Sequence, residues 1–171
     1  MKSASPRAGN WIFPPGTLLA AGAFPGIAAL VARRGELLAE LYAGEAAPGL
    51  PASPTILWPI ASISKAFSAA AVMRLVELGV LTVNTPVHRL LPAFRGDGRE
   101  EIRLRHLLTH TSGLPYESPE MAARLAARTP LAALTDEAFT APLRFRPGTR
   151  FSYSDYAFLI AARMAETVAE A

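Results

Sequence analysis

The sequence predicts a mixed α/β chain of the α+β kind, a β-hairpin followed by a succession of helices. Three observations carry this expectation. Ile27 to Val31 and Leu37 to Tyr42 are mostly apolar runs joined by Arg33-Arg34-Gly35, the pattern of a hairpin. Residues 59–79, PIASISKAFSAAAVMRLVELG, are rich in good helix formers and stop at a glycine suited to a helix C-terminus. Beyond them, helical stretches alternate with Pro, Gly and Asn turns and no second pair of strands is visible, so strands and helices are segregated. With 171 residues, 51% of them hydrophobic, and no internal repeat or linker, the whole chain is read as one domain.

In chain order, residues 1–16 read as an irregular lead-in and Thr17 to Ala23 as a short helix end, with Pro25-Gly26 as punctuation. After the hairpin, Ala46 to Pro54 is a Pro/Gly/Ala loop, and Thr55 to Trp58 an extended approach to the helix of residues 59–79. In that helix Ser62 and Ser64 are possible N-caps, and Arg74 and Glu77 form a solvated stripe. Asn84-Thr85-Pro86 should cap a short helix ended by Pro92, and Gly96-Asp97-Gly98 is a surface turn. Ile102 to His110 reads as helix, leading into Thr111-Ser112-Gly113-Leu114-Pro115. Pro119 to Arg128 and Pro130 to Phe139 are Ala-rich helices, the second capped by Thr129. Arg146-Pro147-Gly148 is a tight turn before Phe151-Ser152-Tyr153, and Ser154 caps a closing helix from Asp155.

Composition excludes several functions. The net charge of +3 comes from scattered arginines, densest at Arg144, Arg146 and Arg150 with no aromatic ladder beside them. That is solvated surface, and no nucleic-acid partner is expected. Without cysteine there is neither a disulfide framework nor a thiolate metal site. No apolar run is long and clean enough for a membrane span. Lys2 and Arg7 followed by Trp11 to Ala23 imitate a secretory signal, but Pro14-Pro15-Gly16 interrupts its apolar part. A cytoplasmic location is the expectation, with a periplasmic or secreted one left open.

Chemistry is concentrated in Ser62-Ile63-Ser64-Lys65. Residues three apart share a helix face, so the Ser62 hydroxyl and the Lys65 amine can meet. Lys65 points roughly opposite Arg74, along Ser68, Ala69, Val72 and Val76, an apolar face that suits an ammonium only with a task or a partner. Of the 17 Lys and Arg residues only Lys2 and Lys65 are lysines. A desolvated lysine can serve as a general base, which an arginine cannot. His106 and His110 have the spacing of a zinc pair but no glutamate follows the first, and the only other histidine is His88. They are read as structural, with no metal and no organic cofactor implied. Tyr153 is open between core packing and a phenol held near a lysine, where it could pass protons.

Ile60 to Phe67, Leu107 to Pro115, and Arg146-Pro147-Gly148 through Tyr153-Ser154-Asp155 occur in the order seen in one family, and from Pro25 on the chain resembles it. This is the serine β-lactamase-related family: class C β-lactamases, DD-peptidases (penicillin-binding proteins) and related carboxylesterases. The resemblance implies a β-lactamase/transpeptidase-like fold, an antiparallel sheet flanked by helices plus a helical subdomain. It also implies that Ser62 is the acylated nucleophile, with Lys65 and Tyr153 sharing the base and acid work. The segments become a lead-in and helix (1–24), hairpin and approach (25–58), nucleophile helix (59–79), helical subdomain (80–145), and tyrosine motif with closing helix (146–171).

Two departures qualify the resemblance. The family pattern is Y-x-N, and Asp155 stands in the third place. An asparagine amide can donate to a substrate carbonyl, whereas an aspartate cannot, and a carboxylate near Lys65 favours its charged form. An ester or D-amino-acid peptide substrate is therefore expected over a β-lactam. The family's third motif, K-T-G or H-x-G on a later strand, has no counterpart after Tyr153. The expectation is an incomplete domain lacking the C-terminal strands, inactive alone and open to a complementing C-terminal segment. The rival is a non-catalytic fragment or pseudoenzyme that keeps the pocket for binding or packing.

Overall fold

The computed structural model describes residues 15–169, and the chain divides into two compact units, one up to Pro59 and one from Ile60. The expected lead-in lies almost wholly outside the described residues. In the first unit helix α1 spans Pro15–Ala20, ending earlier than expected because Gly22, at φ 68°, turns the chain. Strand β1 (Gly26–Arg33) pairs antiparallel with β2 (Glu36–Ala47) in the register Ala28 to Tyr42 and Leu30 to Glu40. Their connection is Arg34-Gly35, both at positive φ (52° and 82°), the two-residue turn whose twist matches a hairpin.

The structure corrects the loop expected from Ala46 to Pro54. Strand β2 continues to Ala47, and Leu50–Pro51 forms β3 against it. Pro48-Gly49 makes this possible, since Gly49 (φ 74°) supplies the left-handed residue that a proline-led turn requires. The approach is corrected too: Thr55 lies in a turn and 56–60 are irregular. Only Ala39 on these strands is buried, while Leu30, Val31, Leu37 and Leu38 remain exposed.

The second unit is built on α7 (Asp155–Ala169), which packs against α2 (Ser64–Glu77), α3 (Val87–Leu90), α4 (Leu104–Leu108) and α6 (Leu131–Thr140). Its buried Tyr156, Ala157, Ile160, Ala161 and Met164 recur at helical spacing and meet Val72, Phe94, Leu107 and Leu134 in one core. Ser154 caps it as expected: Oγ accepts from the Ala157 N–H (3.1 Å) and donates to the Pro115 carbonyl (2.7 Å). Gly79 likewise ends α2 at φ 73°, its N–H reaching Val76 O while Val80 N–H reaches Leu75 O.

Other helix limits differ for long-range reasons. The helix expected from Ile102 is only Leu104–Leu108, because Arg103 forms a β-bridge with Pro86 and keeps Ile102 extended. Asn84 caps nothing; its side-chain oxygen takes a hydrogen bond from Arg105, and α3 begins after Pro86 without a side-chain cap. Helix α5 is Met121–Ala126, and α6 starts after Pro130 rather than on a Thr129 cap. Arg99 departs from the solvated reading of the arginines. It is buried, and its guanidinium donates to Ala141 O (2.6 Å) and Gly96 O (3.0 Å), fastening the three-residue turn at 96–98.

Candidate active site

Ser62 is not an N-cap. It lies in a 3₁₀ turn, Ala61–Ile63, directly ahead of α2, and neither Ser62 nor Ser64 makes a capping bond there. Ala61 is held at φ 45°, a conformation that costs a non-glycine residue about 1–2 kcal/mol. Such strain persists only where the surroundings enforce it. The 3₁₀ turn still leaves Ser62 three residues from Lys65, and Lys65 Nζ donates to Ser62 Oγ at 3.2 Å.

Lys65 is mostly buried and has the partner its apolar face demanded. Its Nζ lies 2.7 Å from Asp155 Oδ1, and that oxygen meets no hydrogen-bond partner besides this ammonium among the described residues. Burial pulls the Lys65 pKa down. Its hydrogen bonds to Asp155 and Tyr153, with the charges of both, more than offset that and hold it above the ordinary lysine value. Nζ also sits 5.0 Å from the centre of the Tyr153 ring. The Tyr153 phenol is held below its ordinary value, first by its hydrogen bond with Lys65 and then by that with Ser62. The structure thus gathers Ser62, Lys65, Tyr153 and Asp155 into one constellation, with Tyr153 and Asp155 delivered from either side of the buried cap Ser154.

The sequence reads His110 as the last residue of a helix and as structural. It lies beyond the end of α4 at φ 55°, in the left-handed position normally taken by glycine. Its N–H reaches Leu107 O, and Thr111 N–H reaches His106 O, completing the helix stop. The turn lays the imidazole on the Tyr153 ring, with centroids 4.4 Å apart and planes 26° from parallel. Nδ1 accepts the Ser154 N–H (3.1 Å), which leaves the proton on Nε2. Burial first, and the Lys65 charge second, hold its pKa below the usual histidine value, so it packs as a neutral ring. His110 is a positioning residue; its place directly before Thr111-Ser112-Gly113 was the only sequence signal. Gly113 is required there, since a Cβ would stand 2.3 Å from Phe145 O. His106 is apart from this group and accepts the Arg103 N–H at Nδ1. Among the described residues no three His, Cys, Asp or Glu side chains gather as a metal site, and no helix is long and apolar enough to cross a membrane.

A cavity of about 380 Å³ opens beside Lys65 and Asp155. Ala61, Ser64 and Ser68 line it on one side, and Met121, Leu125, Leu134, Phe158 and Leu159 form its apolar wall, with Glu117 also on the lining. Glu117 had no place in the sequence reading, because no motif marks it. Tyr116 beside it has a raised pKa, caused first by Asp155 and then by Glu117.

Comparison with known proteins gives these features a family. The Beta-lactamase family profile matches residues 16–171. Esterase EstB of Burkholderia gladioli is 38% identical over 146 residues, covering 75% of this chain and 37% of its own length. The structure of EstCE1, a hydrolase with promiscuous acyltransferase activity, superposes on 91% of this chain and 45% of its own, with a TM-score of 0.77 and 27% identity. The octameric penicillin-binding protein homologue from Pyrococcus abyssi superposes on 91% of this chain and 38% of its own, at a TM-score of 0.76 and 25% identity. The chain thus spans less than half the length of these relatives. Its β-lactamase/transpeptidase-like α+β fold is shared with them, and the chain belongs to the Beta-lactamase family.

Proposed function

We propose that this chain carries the acylating centre of a serine hydrolase acting on esters or amides, with Ser62 as nucleophile. The observation that carries the reading is one ammonium, Lys65 Nζ, set 3.2 Å from a serine hydroxyl and 2.7 Å from a carboxylate under a tyrosine ring. With Asp155 keeping Lys65 charged, Tyr153 is the base. Its phenolate, stabilised by the ammonium, takes the Ser62 proton as Oγ bonds to the substrate carbonyl carbon. The tetrahedral oxyanion forms near the N-terminal end of α2, where the backbone N–H of Ser62 and the helix dipole favour negative charge. The bond to the leaving group then breaks, and that group takes the proton from Tyr153. Water attacks the acyl-serine next, gives one proton to Tyr153, and releases the acid as Ser62 recovers that proton. His110 holds the phenol ring in place throughout.

A C-terminal complementing segment fits the same reading. Ile63 in the 3₁₀ turn and Phe67 one turn later on α2 are 64% and 68% exposed, an apolar face that a partner segment would cover. Esters are favoured over β-lactams because Asp155 cannot donate to an amide carbonyl. The test compares p-nitrophenyl butyrate with nitrocefin, using protein expressed from its complete reading frame. Ester turnover should dominate, and Asp155→Asn should shift the balance toward nitrocefin. Efficient nitrocefin hydrolysis by the unaltered protein would overturn the substrate assignment.

A further inference from the structure

Resting on the hydrolase reading above, we propose that the cavity beside Lys65 is an acyl pocket that rejects negatively charged acyl groups, with Glu117 as the residue that sets this selectivity. The acyl group stays bonded to Ser62 through both half-reactions. Ala61 and Ser64, which flank the Ser62-Ile63 pair, both line the cavity, so it opens next to that segment.

Its charge balance is uneven. Lys65 and Asp155 offset one another at 2.7 Å. Glu117 is half-buried and takes part in none of the ion pairs found among the described residues. Among the described residues no arginine and no second lysine lines the cavity. Glu117 therefore leaves one uncompensated negative charge on the lining. The apolar wall, from Met121 and Leu125 to Phe158, accepts an alkyl or aryl body and offers no cation to pair with a carboxylate. An acyl chain ending in a carboxylate would be stripped of water beside Glu117, and like charges placed together oppose binding. An uncharged or amine-bearing chain meets no such opposition. The substrate class is thus esters or amides of acids with an apolar body and no second carboxylate.

The experiment measures kcat/KM for p-nitrophenyl hexanoate and for the mono-p-nitrophenyl ester of adipic acid, which has the same chain length. Protein from the complete reading frame is used, with Ser62→Ala as the control for the hydrolase reading. Hexanoate should be preferred by about tenfold. Glu117→Gln should bring the ratio of the two esters toward unity, and Glu117→Lys should invert it. In the unaltered protein the ratio should shrink at high salt, as expected for a partly exposed charge. Ser62-dependent hexanoate turnover with adipate equally good, or with a ratio that ignores both Glu117 and salt, overturns the pocket proposal and leaves the hydrolase reading intact. Turnover that survives Ser62→Ala, or no turnover at all, overturns both.

Discussion

Replacing Ser154 by alanine tests how the tyrosine segment is held. The side chain is completely buried, and its hydroxyl bonds at both ends, to the Ala157 N–H at 3.1 Å and the Pro115 carbonyl at 2.7 Å. Loss of the N-cap costs about 0.5–2 kcal/mol. Leaving a largely shielded carbonyl without its donor adds about 1–3 kcal/mol. Together they predict a loss of about 1.5–5 kcal/mol for Ser154→Ala. Ser154→Gly should fall between the two proteins: it loses both hydroxyl bonds, as alanine does, but glycine is better tolerated than alanine at an N-cap. The backbone bond from Ser154 N–H to His110 Nδ1 survives both changes, so the folded variants should keep their site geometry. Urea unfolding followed by far-UV circular dichroism reads the effect as a lower midpoint at unchanged slope. A loss below about 0.5 kcal/mol, the range of an ordinary surface substitution, would show that the cap does not anchor this segment.

Three further outcomes follow from the same geometry. If Lys65 works as a fixed charge, Lys65→Ala should lower acylation by about 10²–10³ while Lys65→Arg retains an intermediate rate; equal losses in both would return the base role to the amine. The catalytic base form should grow as pH rises, with a limb below the ordinary tyrosine value because Lys65 and then Ser62 depress the Tyr153 phenol. Lys65→Ala should move that limb to higher pH in a stopped-flow acylation profile, and a stationary limb would contradict the assignment. Residues 1–171 expressed by themselves should self-associate and hydrolyse esters poorly, given the exposed Phe67 and Leu30. Light scattering and an ester assay check this, and a monodisperse, fully active monomer would refute it.

Much of this architecture was legible because it is local. The hairpin turn at Arg34-Gly35, the Gly79 helix stop and the Ser154 cap each depend on a few neighbouring residues. The Ser62–Lys65 contact was legible as well, since a helical turn and a 3₁₀ turn both bring residues three apart together. Longer-range features were hidden. Arg103 reads as helix until Pro86 pairs with it, and Arg99 reads as solvated until the Ala141 carbonyl receives it. His110 supplies a left-handed helix stop without glycine, so no residue type announced it, and its contact with Tyr153 spans more than forty positions. Glu117 belongs to no motif at all; only the folded cavity gives its charge a meaning.

The central claim is that Ser62 is acylated. The direct measurement incubates the protein from its complete reading frame with a fluorophosphonate, digests it, and locates the adduct by mass spectrometry. The account predicts one phosphonylated residue, Ser62, with labelling abolished in Ser62→Ala and slowed by about 10²–10⁴ in Tyr153→Phe, the range expected for loss of a general base. Adduct at Ser64, or labelling that persists undiminished in Ser62→Ala, would contradict it.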